Sequence, residues 1–195
     1  MSSNHTDTKE AVPSDTSVVA DLKSGHPDGP KALVKQYGTR LLHSAFLLCQ
    51  NEDDAQDLVQ ETLIQAIKAI SKFERKSALY TWLHGILLNN SRHYRRAKVR
   101  RKMLFTDRLM DERMEGAQVA ITPKVVQEAS VLAECLRKLS SAHREVIILR
   151  FFENMKLEDI ARQLGVNSST IRSRLRFALK RLRKILPNNF NEMPL

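Results

Sequence analysis

From Lys31 to about Met103 the chain has no proline, and its apolar residues return at intervals of three and four. Leu33, Val34, Tyr37, Leu41, Leu42, Ala45 and Leu48 form one stripe. Ala55, Leu58, Val59, Thr62, Leu63, Ala66, Ile67 and Ile70 form a second, so each segment predicts an amphipathic helix with one buried face. A third helix is expected from about Leu79 through Trp82, Leu83, Ile86 and Leu87, continuing into the basic tract SRHYRRAKVRRK. Periodicity fails between Leu104 and Gln127, where Asp107, Asp111, Glu112 and Glu115 make the chain acidic and Gly116 and Pro123 interrupt it. It resumes near Glu128. Val131, Leu132, Cys135, Leu136 and Leu139 predict one helix, and Val146, Ile147, Leu149 and Phe152 another, capped by Ser140 or Ser141.

These patterns divide the chain into a flexible arm over 1–29, a helical domain over 30–103, an acidic linker over 104–127, a second helical domain over 128–187 and a tail over 188–195. The arm is assigned from its Ser, Thr, Asp and Pro content and from Gly25, Pro27, Gly29 and Pro30, which punctuate its end. The fold class is all-α: two small helical domains joined by a flexible linker.

The sharpest local pattern is the stretch KLEDIARQLGVNSSTIRSRLRFALKRLRKIL, Lys156 to Leu186. Leu157, Ile160, Ala161 and Leu164 share one helical face, Gly165 follows where the last turn needs a left-handed residue, and Asn167 suits the N-cap of the next helix. In that helix Ile171, Leu175, Ala178, Leu179, Leu182 and Ile185 face inward, leaving seven Arg and Lys residues outside. Taken alone, a run of charge is often a solvated face. The order of apolar helix, glycine corner, cap and cationic helix instead predicts a helix-turn-helix. Ser168, Ser169 and Thr170 stand at its tip, where small polar side chains permit close approach to base edges in a major groove.

Charge sharpens this picture. The 195-residue chain carries a net charge of +10. Lys72 to Lys102 holds ten Lys or Arg against one Glu, and Lys156 to Leu186 holds nine against two acids. Two basic blocks imply two separate contacts with a polyanion rather than one diffuse coat. Cys49 and Cys135 each lie within an apolar pattern and are expected in the core, without a redox role. The six histidines have no ligand-like spacing, so neither a metal nor a cofactor is expected. No phosphate-cradling glycine loop, and no set of nucleophile, base and orienting group, points to an enzyme. With no apolar run of 18 residues and a polar, acidic start, membrane insertion is not expected and the location is read as cytoplasmic.

Four stretches in order resemble the extracytoplasmic-function (ECF) branch of the bacterial sigma-70 family of RNA polymerase sigma factors. They are NEDDAQDLVQETLIQAI, SALYTWLHGILLNN with its basic continuation, LRKLSSAHREVIILRFF, and LEDIARQLGVNSSTIRSRLRFALKRLR. The resemblance spans 31–186 apart from the linker and implies the second and fourth sigma domains. It makes Asp54, Asp57, Leu58, Gln60 and Glu61 candidate contacts for the coiled coil of the largest subunit of core RNA polymerase. It makes Lys76, Trp82, Asn89, Arg92, Arg95 and Arg96 candidates for recognising and melting the minus-ten promoter element. An extruded base must be held there, and cationic side chains must grip the separated strand. Trp82 matches the tryptophan of the family's TWL stretch, yet a lone Trp on a helical face is more often a core residue. His93 stands where an Asp is common, and Asn90 and Ser91 replace the usual apolar and small pair.

For the minus-thirty-five element, the resemblance makes Ser168, Ser169, Thr170, Arg172 and Arg174 candidates for base edges or backbone, with Arg176 and Lys180 on phosphate. Arg181 to Lys184 are either solvated or in contact with the polymerase flap. The implied partners are core RNA polymerase, promoter DNA and an anti-sigma factor. A different class of reading stays open: a stand-alone helix-turn-helix regulator that binds its operator without polymerase.

Overall fold

The computed structural model describes residues 14–104 and 133–185. Among them, every regular element is a helix. The first domain is built from α1 (Asp15–Ser24), α2 (Asp28–Cys49), α3 (Glu52–Ala69), a 3₁₀ turn (Ile70–Lys72) and α4 (Leu79–Leu104). The predicted stripes become its core. Leu33, Leu41, Ala45 and Leu48 of α2 meet Ala55, Val59, Leu63 and Ala66 of α3 and Leu79, Leu83 and Leu87 of α4. Val34, counted in the first stripe, sits exposed at the rim. Asn51 caps α3 through its side-chain oxygen, which accepts from the Asp54 backbone N–H at 2.8 Å. Glu52, Asp53 and Asp54 fill the first turn, where the helix dipole favours negative charge.

The arm expected over 1–29 must be corrected from Ser14 onward. Ser14 caps α1, Gly25 closes it in a left-handed conformation, and Val18, Val19 and Leu22 bury against the bundle. Lys23 Nζ donates to the Phe73 carbonyl at 3.1 Å, fastening α1 to the end of the 3₁₀ turn. The residues that resembled loop punctuation have helical duties. Pro27 precedes α2, and Pro30 stands in its first turn, where a missing N–H costs nothing. A side chain at Gly29 would meet the Leu22 backbone nitrogen at 3.0 Å, so the close crossing of α1 and α2 requires glycine. The first domain therefore begins before residue 30. Residues 1–13, the linker after Leu104 and the tail lie outside the described residues.

The second domain comprises α5, described over 133–137, then α6 (Ser141–Ile147), a π-helical turn (Ile148–Phe152), α7 (Leu157–Leu164) and α8 (Ser168–Ile185). Ser140 is the residue that precedes α6. Five consecutive residues, Glu145 to Leu149, are buried. A helix is buried all round when it has neighbours on both sides. Here α8 covers one side, while α2 of the first domain approaches the other. The two domains are packed against each other.

Arg144 helps to fasten that junction. Its guanidinium donates to the Leu136 carbonyl at 3.0 Å and the Leu48 carbonyl at 2.9 Å, with longer contacts to Arg137 and Leu139 at 3.3 Å. It thereby adds donors to the carbonyls where α5 ends, that of Leu136 also accepting from the Leu139 N–H at 3.0 Å, and reaches the last turn of α2.

Candidate nucleic-acid and polymerase interfaces

The corner between α7 and α8 forms as the pattern predicts. Gly165 adopts φ 66°, and its N–H and that of Val166 close the end of α7 on the Arg162 and Ala161 carbonyls. Ile160, Ala161 and Leu164 are buried against Ile171, Ala178 and Leu182 of α8. This packing fixes which face of α8 looks outward. Ser169, Arg172, Arg176 and Lys180 are exposed, while Ser168, Thr170 and Arg174 are half-buried. Arg172 lies 4.0 Å from Glu158, with both side chains mostly in solvent, a separation that holds little energy. The Arg176 guanidinium lies 5.3 Å from the exposed Phe177 ring.

On α3, Asp57 and Glu61 are exposed and Gln60 is half-buried. Two expected surface contacts need revision. Leu58 is only 4 % exposed and belongs to the core, because it lies on the inner stripe of α3. Asp54 turns back toward α4, where Lys98 Nζ stands at 3.0 Å and the Tyr94 hydroxyl donates to it. The hydrogen bond from Lys98 to Asp54 raises the Lys98 pKa. Of the acidic candidates, Asp57 and Glu61 are therefore the ones that remain on the outer face, with Glu52 and Asp53 of the first turn exposed beside them.

On α4, Asn89 and Arg96 are exposed, and Lys76, in the loop before the helix, is 84 % exposed beside Glu74. Trp82 is half-buried with its ring 5.2 Å from that of Phe73, so packing accounts for it at least in part. Asn90 Nδ2 donates to Thr62 Oγ1 at 3.3 Å, bracing α4 against α3. Arg92 and Arg95 are not free. They converge on Glu145 of the second domain at 2.8 and 2.7 Å.

A second carboxylate from the same domain enters the first. The Glu153 side chain is 4 % exposed; it pairs with Arg40 at 2.9 Å, accepts from the Tyr80 hydroxyl at 2.9 Å, and accepts from Ser44. The Arg40 guanidinium also covers the Tyr80 ring at 3.6 Å. His84 Nε2 lies 3.6 Å from Glu153, but burial holds the His84 pKa down to about 4, outweighing the opposing pull of the carboxylate. The imidazole is neutral near pH 7. A cavity of about 210 Å³ bounded by Arg40, Tyr80, Thr81, His84, Glu153 and Met155 lies at this junction.

The sequence reading missed Arg144, Glu145 and Glu153. Glu145 carried a signal: a lone acid opening the run Val146-Ile147-Ile148-Leu149 must find a cationic partner if it is buried with its neighbours.

The buried neutral imidazole has a measurable consequence. His84 is 1 % exposed, and its folded pKa of about 4 lies below the unfolded value of 6.5. Its contribution to stability is complete above pH 6.5 and is lost as pH falls from there toward 4, by about 3 kcal/mol at most. The His84→Leu variant should lose less stability than the parent protein across that interval in urea melts. Parallel losses would show that His84 is not the acid-sensitive group.

Neither cysteine resembles a reactive thiol. Cys135 is buried, and burial pushes the Cys49 thiol up to about 11. Among the described residues no group of three His, Cys, Asp or Glu side chains could hold a metal ion, and no helix is long and apolar enough to cross a membrane.

Two helical domains, one ending in a helix-turn-helix with a cationic outer face and the other carrying a long basic helix, define a DNA-binding transcription factor. The Sigma-70 region 2 family matches residues 33–101, and the Sigma-70, region 4 family matches residues 135–184. The chain is 31% identical over 139 residues to RNA polymerase sigma factor SigV of Bacillus subtilis, covering 71% of this chain and 80% of that protein. It is 28% identical over 173 residues to the ECF RNA polymerase sigma-E factor of Haemophilus influenzae, covering 83% and 89% respectively. The sigma factor RpoE in complex with the anti-sigma factor NepR from Bartonella quintana superposes with a TM-score of 0.65 at 28% identity, covering 81% of this chain and 96% of that one. The chain belongs to the ECF branch of the sigma-70 family and is an RNA polymerase sigma factor. Both regions are present in their family order, which favours this function over that of a stand-alone regulator.

Proposed function

We infer that this sigma factor divides its work among three helices. The outer face of α8 meets the duplex of the minus-thirty-five element, with Ser168, Ser169 and Thr170 at the tip, Arg172 and Arg174 on base edges or backbone, and Arg176 and Lys180 on phosphate. On and before α4, Lys76, Asn89, Arg92, Arg95 and Arg96 take the minus-ten element as it opens. Binding energy to exposed bases and strand phosphates drives melting, without nucleotide hydrolysis, so the protein acts in the cytoplasm as a non-catalytic subunit of the polymerase. The exposed acids of α3, Asp57 and Glu61, dock core polymerase. An anti-sigma factor regulates the protein, in keeping with the NepR-bound relative. The observation that carries this reading is the presence of two cationic helices on separate domains beside one helix with an acidic face.

The docking assignment is tested by reversing one charge. Asp57→Arg should weaken association with core polymerase about tenfold without moving the melting temperature, because Asp57 is exposed. Fluorescence titration of labelled protein with core polymerase measures it, and unchanged assembly would refute the role of Asp57.

A further inference from the structure

Helix α4 outruns the core that supports it. Among the described residues Ser91 is its last buried side chain, yet the candidates for the minus-ten strand continue to Arg96. Two stripes interleave along this stretch. Asn90, Tyr94 and Lys98 recur every four residues, and each meets α3: Asn90 through Thr62 at 3.3 Å, Tyr94 and Lys98 through Asp54. Asn89, Arg92, His93 and Arg96 share the other side, which at about 100° per residue lies roughly opposite. Fixing the first stripe therefore aims the second. Asp54 is itself well fixed, since Asn51 caps its N–H at 2.8 Å and the adjoining Ala55 is fully buried. Its side chain is 16 % exposed, and each carboxylate oxygen has its own donor, the Tyr94 hydroxyl on one and Lys98 Nζ at 3.0 Å on the other. Lys98 is 64 % exposed, where an ion pair alone contributes little. The Tyr94 bond is charge-assisted and its ring packs partly buried against the core, so this arm of the tie sets the orientation.

We propose that Asp54 is a positioning residue for strand recognition: through Tyr94 and Lys98 it fixes the rotation of α4 past Ser91, so that Arg96 stays in line with Asn89 toward the opened minus-ten strand. The inference rests on the assignment of that strand to α4. A set of side chains grips its target well only when supporting groups hold it within about 0.5 Å and about 20° of its working geometry. Without the tie, the end of α4 samples more orientations than the strand can use, and ordering them on binding costs entropy. Asp54 stands one turn before Asp57 on the same helix. The helix assigned to polymerase docking thus also sets the angle at which the strand is met.

The test uses holoenzyme reconstituted with the full chain, at saturating core polymerase and on a promoter located by run-off mapping. Asp54→Ala and Tyr94→Phe should each lower permanganate reactivity of the minus-ten thymines about fivefold, and the double variant should lower it no further, because both substitutions remove one tie. Affinity for core polymerase, by fluorescence titration, should stay within about twofold of the parent. Tyr94→Phe removes a single hydroxyl, and it carries the test if circular dichroism shows that Asp54→Ala does not fold. Undiminished reactivity in a folded variant overturns the inference. So does a double variant whose loss is the product of the two single losses. A loss of core affinity of about tenfold in folded Asp54→Ala overturns it as well, since Asp54 would then be a docking residue. A separate measurement probes the underlying assignment: Asn89→Ala with Arg96→Gln should lower the reactivity at least as far. Unchanged reactivity there would remove those two residues from strand binding, a failure distinct from a failure of the tie.

Discussion

Replacing Arg172 and Arg174 together by alanine should lower promoter occupancy by the holoenzyme by about tenfold to a hundredfold, with assembly on core polymerase unchanged. The expectation follows from how α8 is held. Ile171, Ala178 and Leu182 fasten its inner face, so trimming the outer face leaves the fold intact. Arg172 has only a distant, solvent-screened carboxylate nearby, and therefore loses little on turning to DNA. Each contact with a base edge or phosphate contributes on the order of 1–3 kcal/mol. The tether to the other promoter anchor softens the combined loss by keeping α8 near its site. A footprinting titration at several salt concentrations measures the effect, and the salt slope should fall along with affinity. Loss of core binding in a folded double variant would contradict the division of labour between α8 and α3.

Arg144→Leu should cost about 3 kcal/mol of stability, the largest effect expected from a single residue at the domain junction. The substitution keeps aliphatic bulk but removes the donors that serve the Leu48, Leu136, Arg137 and Leu139 carbonyls. Those at the end of α5 lose their cap, and that of Leu48 loses its tie to α6. Burial and the neighbouring Arg95 already press the Arg144 pKa downward, which marks the site as short of water to replace the lost bonds. Urea unfolding followed by circular dichroism provides the measurement. A loss below about 0.5 kcal/mol, the range of ordinary surface substitutions, would show that the carbonyls find other donors.

The bundle core and the helix-turn-helix were legible because their apolar residues repeat at helical spacing over several turns and Gly165 stands where the corner needs it. Helix α1 was hidden because its buried set is only Val18, Val19 and Leu22, one turn of pattern among Ser, Asp and Pro. The burial of Leu58 was legible too, since the predicted second stripe includes it. Its neighbours Asp57 and Glu61 place it in an acidic segment, but its own position on the inner stripe decides its burial. The pairing of Arg92 and Arg95 with Glu145 joins residues some 50 positions apart across two domains, where no local periodicity operates. Sequence could show that α4 is basic. Which of its cations the second domain holds is a property of packing.

Reconstituted run-off transcription tests the central claim most directly. Core RNA polymerase is incubated with fragments of the host genome, with and without the purified protein, and transcript ends are mapped. The account predicts discrete start sites that appear only when the protein is present and that weaken with Arg172→Ala and Arg174→Ala. Absence of stimulation on every fragment, together with tight sequence-specific DNA binding by the protein alone, would contradict it and favour a stand-alone regulator.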